Sequence, residues 1–297
     1  MSKYINPYTD FGFKKLFGTE ANKDLLIDFL NELVDKKHKI TDLTFKNNEN
    51  PGELSEDRKA IFDIYCETVS GEKIIIEMQK AKINFFKDRA VFYTTFPIRE
   101  QAEKGEWNFK LKPVYCIAIL DFEFDKDLKN KDYKNIVTLK NQYCEEFYDK
   151  LKYIFIEMPR FNKKENELDT HFEKWLYFLK NLIEFENVPG ILKEAVFEKG
   201  FKVAEIAALN KEQHEAYEKS LLQYWDIKSA VDTAFDDGKA EGIEQGIEQG
   251  IEQGIEKGIE QGKIEVIETM ISEGFDFETI SRLTKLPIEE IKKLQKN

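Results

Sequence analysis

Apolar residues in DLLIDFLNELV (24–34) recur at helical spacing, which predicts an amphipathic helix buried along one side. The segment DFGFKKLFG leads into it from Asp10. ITDLTFK (40–46) follows as a strand candidate, and the Asn-, Pro- and Gly-rich NNENPGE (47–53) predicts a loop. The clearest hairpin comes next: AIFDIYCET (60–68) and KIIIEMQK (73–80), with VSGE between them. Residues 84–104 have a helical pattern, with Asn84 as N-cap, Gly105 just past the end and Pro97 as an expected kink or break. PVYCIAIL (113–120) is almost wholly apolar, as a strand covered on both faces would be. YIFIEMP (153–159) is another strand candidate, and NELDTHFEKWLYFLKNLIEF (166–185) predicts a long helix. The order helix, three strands, helix, two strands, helix predicts an α/β fold with helices around a mixed central sheet.

Beyond about residue 190 the pattern is helical throughout. We divide the chain into a core domain (1–190), a helical region (191–235), a tetrapeptide repeat (236–263) and a short helical C-terminal unit (264–297). The repeat reads GIEQ GIEQ GIEQ GIEK GIEQ G from Gly242 to Gly262. Each glycine costs a helix roughly 1 kcal/mol relative to alanine, so an isolated helix is not expected to persist there. Ile243, Ile247, Ile251, Ile255 and Ile259 drift by about 40° per step against the helical period, so their stripe winds around the axis. Two readings fit: a self-association segment making a homo-oligomer, or a flexible acidic linker. FDFETISRLTKLPIEEIKKL (275–294) predicts two short helices joined at Leu286-Pro287, read as a packing or dimerisation unit.

Composition narrows the class. The chain has 297 residues, 41% hydrophobic and 34% charged, which suits a soluble protein with a substantial core. No apolar run approaches the roughly 20 residues needed to span a bilayer, and MSKYINPYTDFGFKK lacks the apolar stretch of a signal peptide. We expect no membrane association and a cytoplasmic location. Cys66, Cys116 and Cys144 form no CxxC pair, and His38, His171 and His214 are isolated, so zinc and histidine-based nucleophile chemistry are poorly supported. The net charge is −12, awkward for contact with phosphates. Residues 236–270 hold ten acids and three bases and contribute −7, leaving −5 for the rest of the chain.

The hairpin carries the candidate chemistry. Strand side chains alternate between faces, so Ile61, Asp63, Tyr65 and Glu67 share one face, and Ile75, Glu77 and Gln79 share one on the partner strand. A pairing whose residue numbers sum to 140 or to 142 gathers Asp63, Glu77 and Gln79 on a common face, whereas a sum of 141 scatters them. Two carboxylates in an oxygen-rich setting suit a hard cation such as Mg2+, with Mn2+ as a substitute. Such an ion can activate water and polarise a phosphoryl group, and a neighbouring amide can orient the attacking water. Acids on the solvent face of a hairpin are common and often do nothing. Here the acid follows three isoleucines directly, so the strand leaves a buried core and delivers Glu77 near its end.

The ordered set YTDFGFKKLFG (8–18), IFDIYCET (61–68), IIIEMQK (74–80), FFKDRAVFYTT (85–95), KLKPVYCIAIL (110–120) and the late GIEQ repeats resembles the recombination-promoting nucleases, also described as putative transposases, of the PD-(D/E)XK superfamily. The resemblance covers most of the chain. It implies a restriction-endonuclease-like core followed by an α-helical C-terminal region, and a divalent-metal-dependent endonuclease acting on DNA. The aspartate of the family falls on Asp63, its glutamate on Glu77 and its glutamine on Gln79, where the wider superfamily has lysine. Glutamine can orient water but supplies no positive charge. Asp10 is a further metal-ligand candidate, with a helix cap the favoured reading. Lys14 and Lys15, and Arg89 with Tyr93 one helical turn later, are candidates for contact with DNA. The rival function is a catalytically silent member of the fold that binds DNA or protein.

Overall fold

In the computed structural model, which describes residues 2–34, 39–47, 49–50, 60–103, 105–123 and 132–294, helices α1 (Asp10–Phe17) and α2 (Lys23–Asn31) come first. Strands β1 (Leu43–Phe45), β2 (Glu49–Asn50), β3 (Ala60–Ile61), β4 (Ile64–Thr68) and β5 (Lys73–Gln79) follow, then α3 (Phe86–Arg99) and β6 (Val114–Leu120). The chain continues with β7 (Lys134–Lys140), β8 (Glu146–Glu157), α4 (His171–Asn181), α5 (Ala195–Ala204), α6 (Lys211–Ser272), α7 (Phe277–Thr284) and α8 (Ile288–Leu294). Two compact units result, Met1–Ala230 and Val231–Asn297.

The first unit is built on a six-stranded sheet in the order β1-β4-β5-β6-β8-β7. The β5/β6 and β6/β8 pairs are parallel, and the outer pairs are antiparallel. Every residue of β6 is buried, as its unbroken apolar run requires of a central strand. Alternation sorts the side chains into two layers. Ile64, Cys66, Ile74, Ile76, Ile117 and Ile154 face a core completed by α1, α2, α4 and α5. Tyr65 and Ile75, with Cys116, Ala118 and Phe155, face the opposite side, where Phe86, Ala90 and Phe96 of α3 cover them. Helix α3 is the crossover that lets β5 and β6 run parallel. This six-stranded mixed sheet flanked by helices is the α/β architecture that the sequence predicts.

The hairpin register has residue numbers summing to 140, with Ile64 opposite Ile76 and Tyr65 opposite Ile75. Gly71 turns it at φ +91°, a conformation that residues with a Cβ rarely adopt. The first hairpin strand is not continuous, because the chain bends at Phe62–Asp63 between β3 and β4. Four helix expectations need correction. Thr9, not Asp10, caps α1, its hydroxyl accepting from the Gly12 N–H at 3.0 Å. Residues 84–104 form a helix only from Phe86 to Arg99, entered through Phe85 at φ 60° rather than capped by Asn84. That helix passes through Pro97 and ends two residues later. Residues 166–185 begin as a short 3-10 turn, and the α-helix starts only where Thr170 and Glu173 form a capping box. Among the strands, β7 was not anticipated, and β8 begins seven residues before Tyr153. The predicted loop 47–53 lies mostly outside the described residues, although Glu49–Asn50 pairs with Ala60–Ile61.

Helix α6 spans 62 residues and includes the whole GIEQ repeat, so the repeat is helical despite its glycines. In the second unit Ile267, Ile280 and Ile291 form a small core with α7 and α8. The two terminal helices are as expected, with Asp276 capping α7. No described helix is long and apolar enough to cross a membrane.

Candidate active site

The bend at Asp63 and the end of β5 bring the predicted acids together. The Met78 N–H donates to Asp63 Oδ2 at 2.6 Å, and the Asp63 backbone adjoins the Glu77 carboxylate and favours its charged form. Gln79 Nε2 donates to Glu77 Oε2 at 3.0 Å, and Arg89 Nη2 of α3 lies 3.5 Å from the same oxygen. Asp63, Glu77, Gln79 and Arg89 therefore form one connected cluster. The Arg89 guanidinium also lies 5.2 Å from the centre of the Tyr93 ring, which packs edge-on against Phe62. Arg89 and Tyr93 are thus part of the acidic cluster's surroundings.

Burial decides the electrostatics. Glu77 is only 5% exposed, and burial pushes its carboxyl up to about 8, with the neighbouring Asp63 charge adding to the shift. Arg89, the Asp63 backbone and Gln79 pull the other way but do not win. Asp63 is also raised, chiefly by burial, against the opposing Met78 N–H and the charges of Lys14 and Lys80. Among the described residues, Glu77 Oε1 is buried and has no hydrogen-bond partner. An unpartnered buried oxygen normally costs about 1–3 kcal/mol, so this atom invites a ligand.

A hard divalent cation fits this donor set. One carboxylate oxygen is held by Gln79 and Arg89 while the other is unsatisfied, and a second carboxylate adjoins it. A cation would offset the burial that chiefly raises both acids, and the Asp63 charge that adds to the rise of Glu77. Among the described residues no three His, Cys, Asp or Glu side chains group around a point. Mg2+ accepts such sparse protein ligation because it retains waters and takes substrate oxygens.

Asp63 also forms part of the wall of a cavity of about 660 Å³, together with Asp10, Lys14 and Lys15 of α1. Asp10 is paired with Lys14 at 2.9 Å, and its charge contributes to the rise of Asp63. Glu77, Gln79, Arg89 and Tyr93 do not line this cavity, so Asp63 stands between the buried cluster and the open space. The motif around Gly12 has a local reason: a Cβ there would run into the Asn6 carbonyl oxygen and the Thr9 hydroxyl. Glycine thus lets α1 start tightly against the preceding turn and carry Asp10, Lys14 and Lys15 to the cavity. Sequence reasoning missed Lys46, Gln213, Lys219 and Gln223 on the same wall, since nothing local marks them. Cys66 and Cys116 are buried, and burial pushes both thiols up to about 12, which leaves them as small hydrophobes.

The mixed sheet thus carries a buried acidic pair where β4 begins and β5 nears its end. A family model described as PD-(D/E)XK nuclease family transposase matches residues 7–234, and the chain belongs to that family. The family is one of nucleases linked to mobile elements, which makes DNA the implied substrate class. No curated protein and no solved structure matches the chain.

Proposed function

We propose that this protein is a divalent-metal-dependent DNA endonuclease that hydrolyses phosphodiester bonds in DNA recombination or mobile-element movement, with Mg2+ as the natural ion and Mn2+ as a substitute. The observation that carries this reading is the unpartnered buried Oε1 of Glu77 beside Asp63. Glu77 and Asp63 are the residues that would hold the ion. When bound, the ion lowers the pKa of a coordinated water and stabilises charge on the phosphoryl oxygens. Gln79 already spends one amide hydrogen on Glu77, and its carbonyl oxygen accepts no hydrogen bond from a described residue. That oxygen can accept a hydrogen bond from an attacking water and so orient its lone pair. Gln79 supplies no positive charge, and Arg89 provides one 3.5 Å from Glu77 Oε2. Asp10, paired with Lys14, serves better as a modulator of Asp63 than as a ligand.

The test is nicking of supercoiled plasmid by parallel preparations of wild type and Asp63→Ala, with Mg2+, with Mn2+ and with chelator. Metal-dependent nicking by wild type alone supports the proposal. Equal nicking by both places the chemistry elsewhere. No nicking by either, with any divalent metal, favours a silent DNA- or protein-binding module. We assign a cytoplasmic location, and we read the α-helical tail after the nuclease core as the segment through which copies of the chain would associate.

A further inference from the structure

The cavity beside Asp63 has a wall that the nuclease core does not supply. Its lining includes Gln213, Ala216, Lys219, Ser220 and Gln223, all from the first turns of α6. Their spacing of three and four residues puts them along one side of that helix. The neighbouring side is fastened to the core at three points. The Asn6 N–H donates to the Tyr217 hydroxyl at 3.0 Å, and the Phe11 N–H donates to Ser220 Oγ at 3.1 Å. The Tyr224 hydroxyl donates to Asp121 Oδ2 at 3.1 Å, just beyond the end of β6. Tyr217, Ser220 and Tyr224 are buried, so these contacts form a seam rather than a surface touch. The cavity face of α6 is therefore anchored to the core.

Charge gives the cavity its chemistry. Lys14 and Lys15 come from α1, Lys46 from the residue after β1, and Lys219 from α6, against the acids Asp10 and Asp63. Lys14 is neutralised by Asp10, and Lys46 by Glu67 at 2.7 Å. Lys15 and Lys219 form no ion pair with a described residue, and both line the cavity. Two uncommitted ammonium groups beside the acid proposed to hold the metal, in a chain of net charge −12, make a local anion site.

We propose that this cavity seats the DNA backbone next to the scissile phosphate, and that α6 is a substrate-binding wall whose Lys219 works with Lys15 on the phosphates. The proposal rests on the nuclease reading for the identity of the polyanion. It adds that residues beyond the sheet and its covering helices complete the binding site. Gln213 and Gln223 offer amide donors and acceptors on the same wall for sugar or phosphate oxygens.

The test is anisotropy of a labelled DNA duplex on the full chain in chelator, so that binding is read without cleavage. Wild type, Lys15→Ala/Lys219→Ala and Asp63→Ala are compared across a salt series, with thermal melting to confirm that each is folded. Each phosphate contact contributes about one unit to the slope of log affinity against log salt. The double variant is expected to bind more weakly at low salt with a slope smaller by about 2. Its deficit then shrinks on the order of tenfold between about 50 mM and about 200 mM salt. Asp63→Ala is expected to bind at least as well as wild type, because it removes a negative charge from the wall. A folded double variant with wild-type affinity and slope overturns the proposal, even if the enzyme cleaves. Absence of any duplex binding by wild type in chelator and by Asp63→Ala in Mg2+ also overturns it. Loss of binding in the double variant, where wild type binds but never cleaves, leaves this wall standing and sinks the nuclease mechanism instead.

Discussion

Glu77→Gln is expected to make the metal-free protein more stable, although the residue lies in the heart of the fold. Burial and the Asp63 charge raise the Glu77 carboxyl from 4.5 to about 8, after Arg89 and Gln79 have already helped the charged form. The sign follows from linkage. A carboxyl raised on folding contributes no penalty below its unfolded value, and stability is lost as pH climbs from there to the folded value. At about 1.36 kcal/mol per pH unit, the penalty at pH 7 is on the order of 3 kcal/mol. It levels off above about pH 8, where the folded form also ionises. The amide variant has no such penalty, and its oxygen can still accept from Gln79 Nε2.

The assay is thermal unfolding in chelator from pH 5 to pH 9. For a unit of this size the expected gain at pH 7 corresponds to a Tm rise of roughly 6–12 °C, opening with pH and flat above pH 8. Mg2+ should then close the gap, because an ion that binds only the folded wild type adds about 2.7 kcal/mol at a hundredfold excess over Kd. A Glu77→Gln protein that melts at or below wild type in chelator at pH 8 would refute the argument. So would an equal rise in both proteins on adding Mg2+, since that would place the ion elsewhere.

Four further outcomes follow from the same geometry. Asp63→Asn keeps an acceptor for the Met78 N–H and is expected to be at least as stable as wild type without metal; Asp63→Ala exposes that N–H to a loss of about 1–3 kcal/mol, so urea unfolding should rank Asn above Ala. Gln79→Lys places a second cation beside Glu77, so the acidic limb of its plasmid-nicking pH profile should move to lower pH, and an unmoved limb would dissociate Glu77 ionisation from the rate. Gly12→Ala drives a methyl group into the Asn6 carbonyl and is expected to cost about 1–3 kcal/mol in urea unfolding; wild-type stability would show that α1 relaxes freely. Truncation after Ala230 should preserve a single cooperative melting transition, and its loss would make the tail part of the core.

Sequence alone exposed the elements whose burial is strong. Strands β5 and β6 announce themselves because both faces are covered, whereas alternation alone left the hairpin parity open and the register with a sum of 140 is a structural finding. Strand β7 escaped because it lies at the sheet edge, where Ile136, Val137 and Leu139 are 56%, 46% and 43% exposed and no buried stripe shows. The bend at Asp63 escaped because an alternating pattern reads through it, although the bend lets the Asp63 side chain reach the Met78 N–H and its backbone reach Glu77. The sequence leaves open whether the repeat in α6 is helical, because per-residue glycine costs describe an isolated peptide. A Cβ at Gly246 or Gly250 would meet nothing within 4 Å, so no contact within the chain calls for glycine there. The residues that α6 brings to the site lie about 150 positions from Asp63, and no local signal links them.

The substitution of Gln79 for a lysine is best understood through the two oxygens of Glu77. A lysine at that position would present charge to the carboxylate and to the attacking water at once. Here the two tasks are separated. Charge comes from Arg89 on the crossover helix, which reaches Oε2 from the α3 side and is steadied by the Tyr93 ring. Hydrogen bonding comes from Gln79, whose amide takes the same oxygen and keeps its own carbonyl free of described partners. Both act on Oε2, which leaves Oε1 buried and unsatisfied beside Asp63. The raised Glu77 carboxyl shows that Arg89 alone does not offset this burial. A further positive charge is still wanted there, and a divalent ion between two carboxylates is the simplest species that supplies it. On the proposed reading, the departure from lysine would leave the site more dependent on metal, because the chain's own cation covers only one side of the acid.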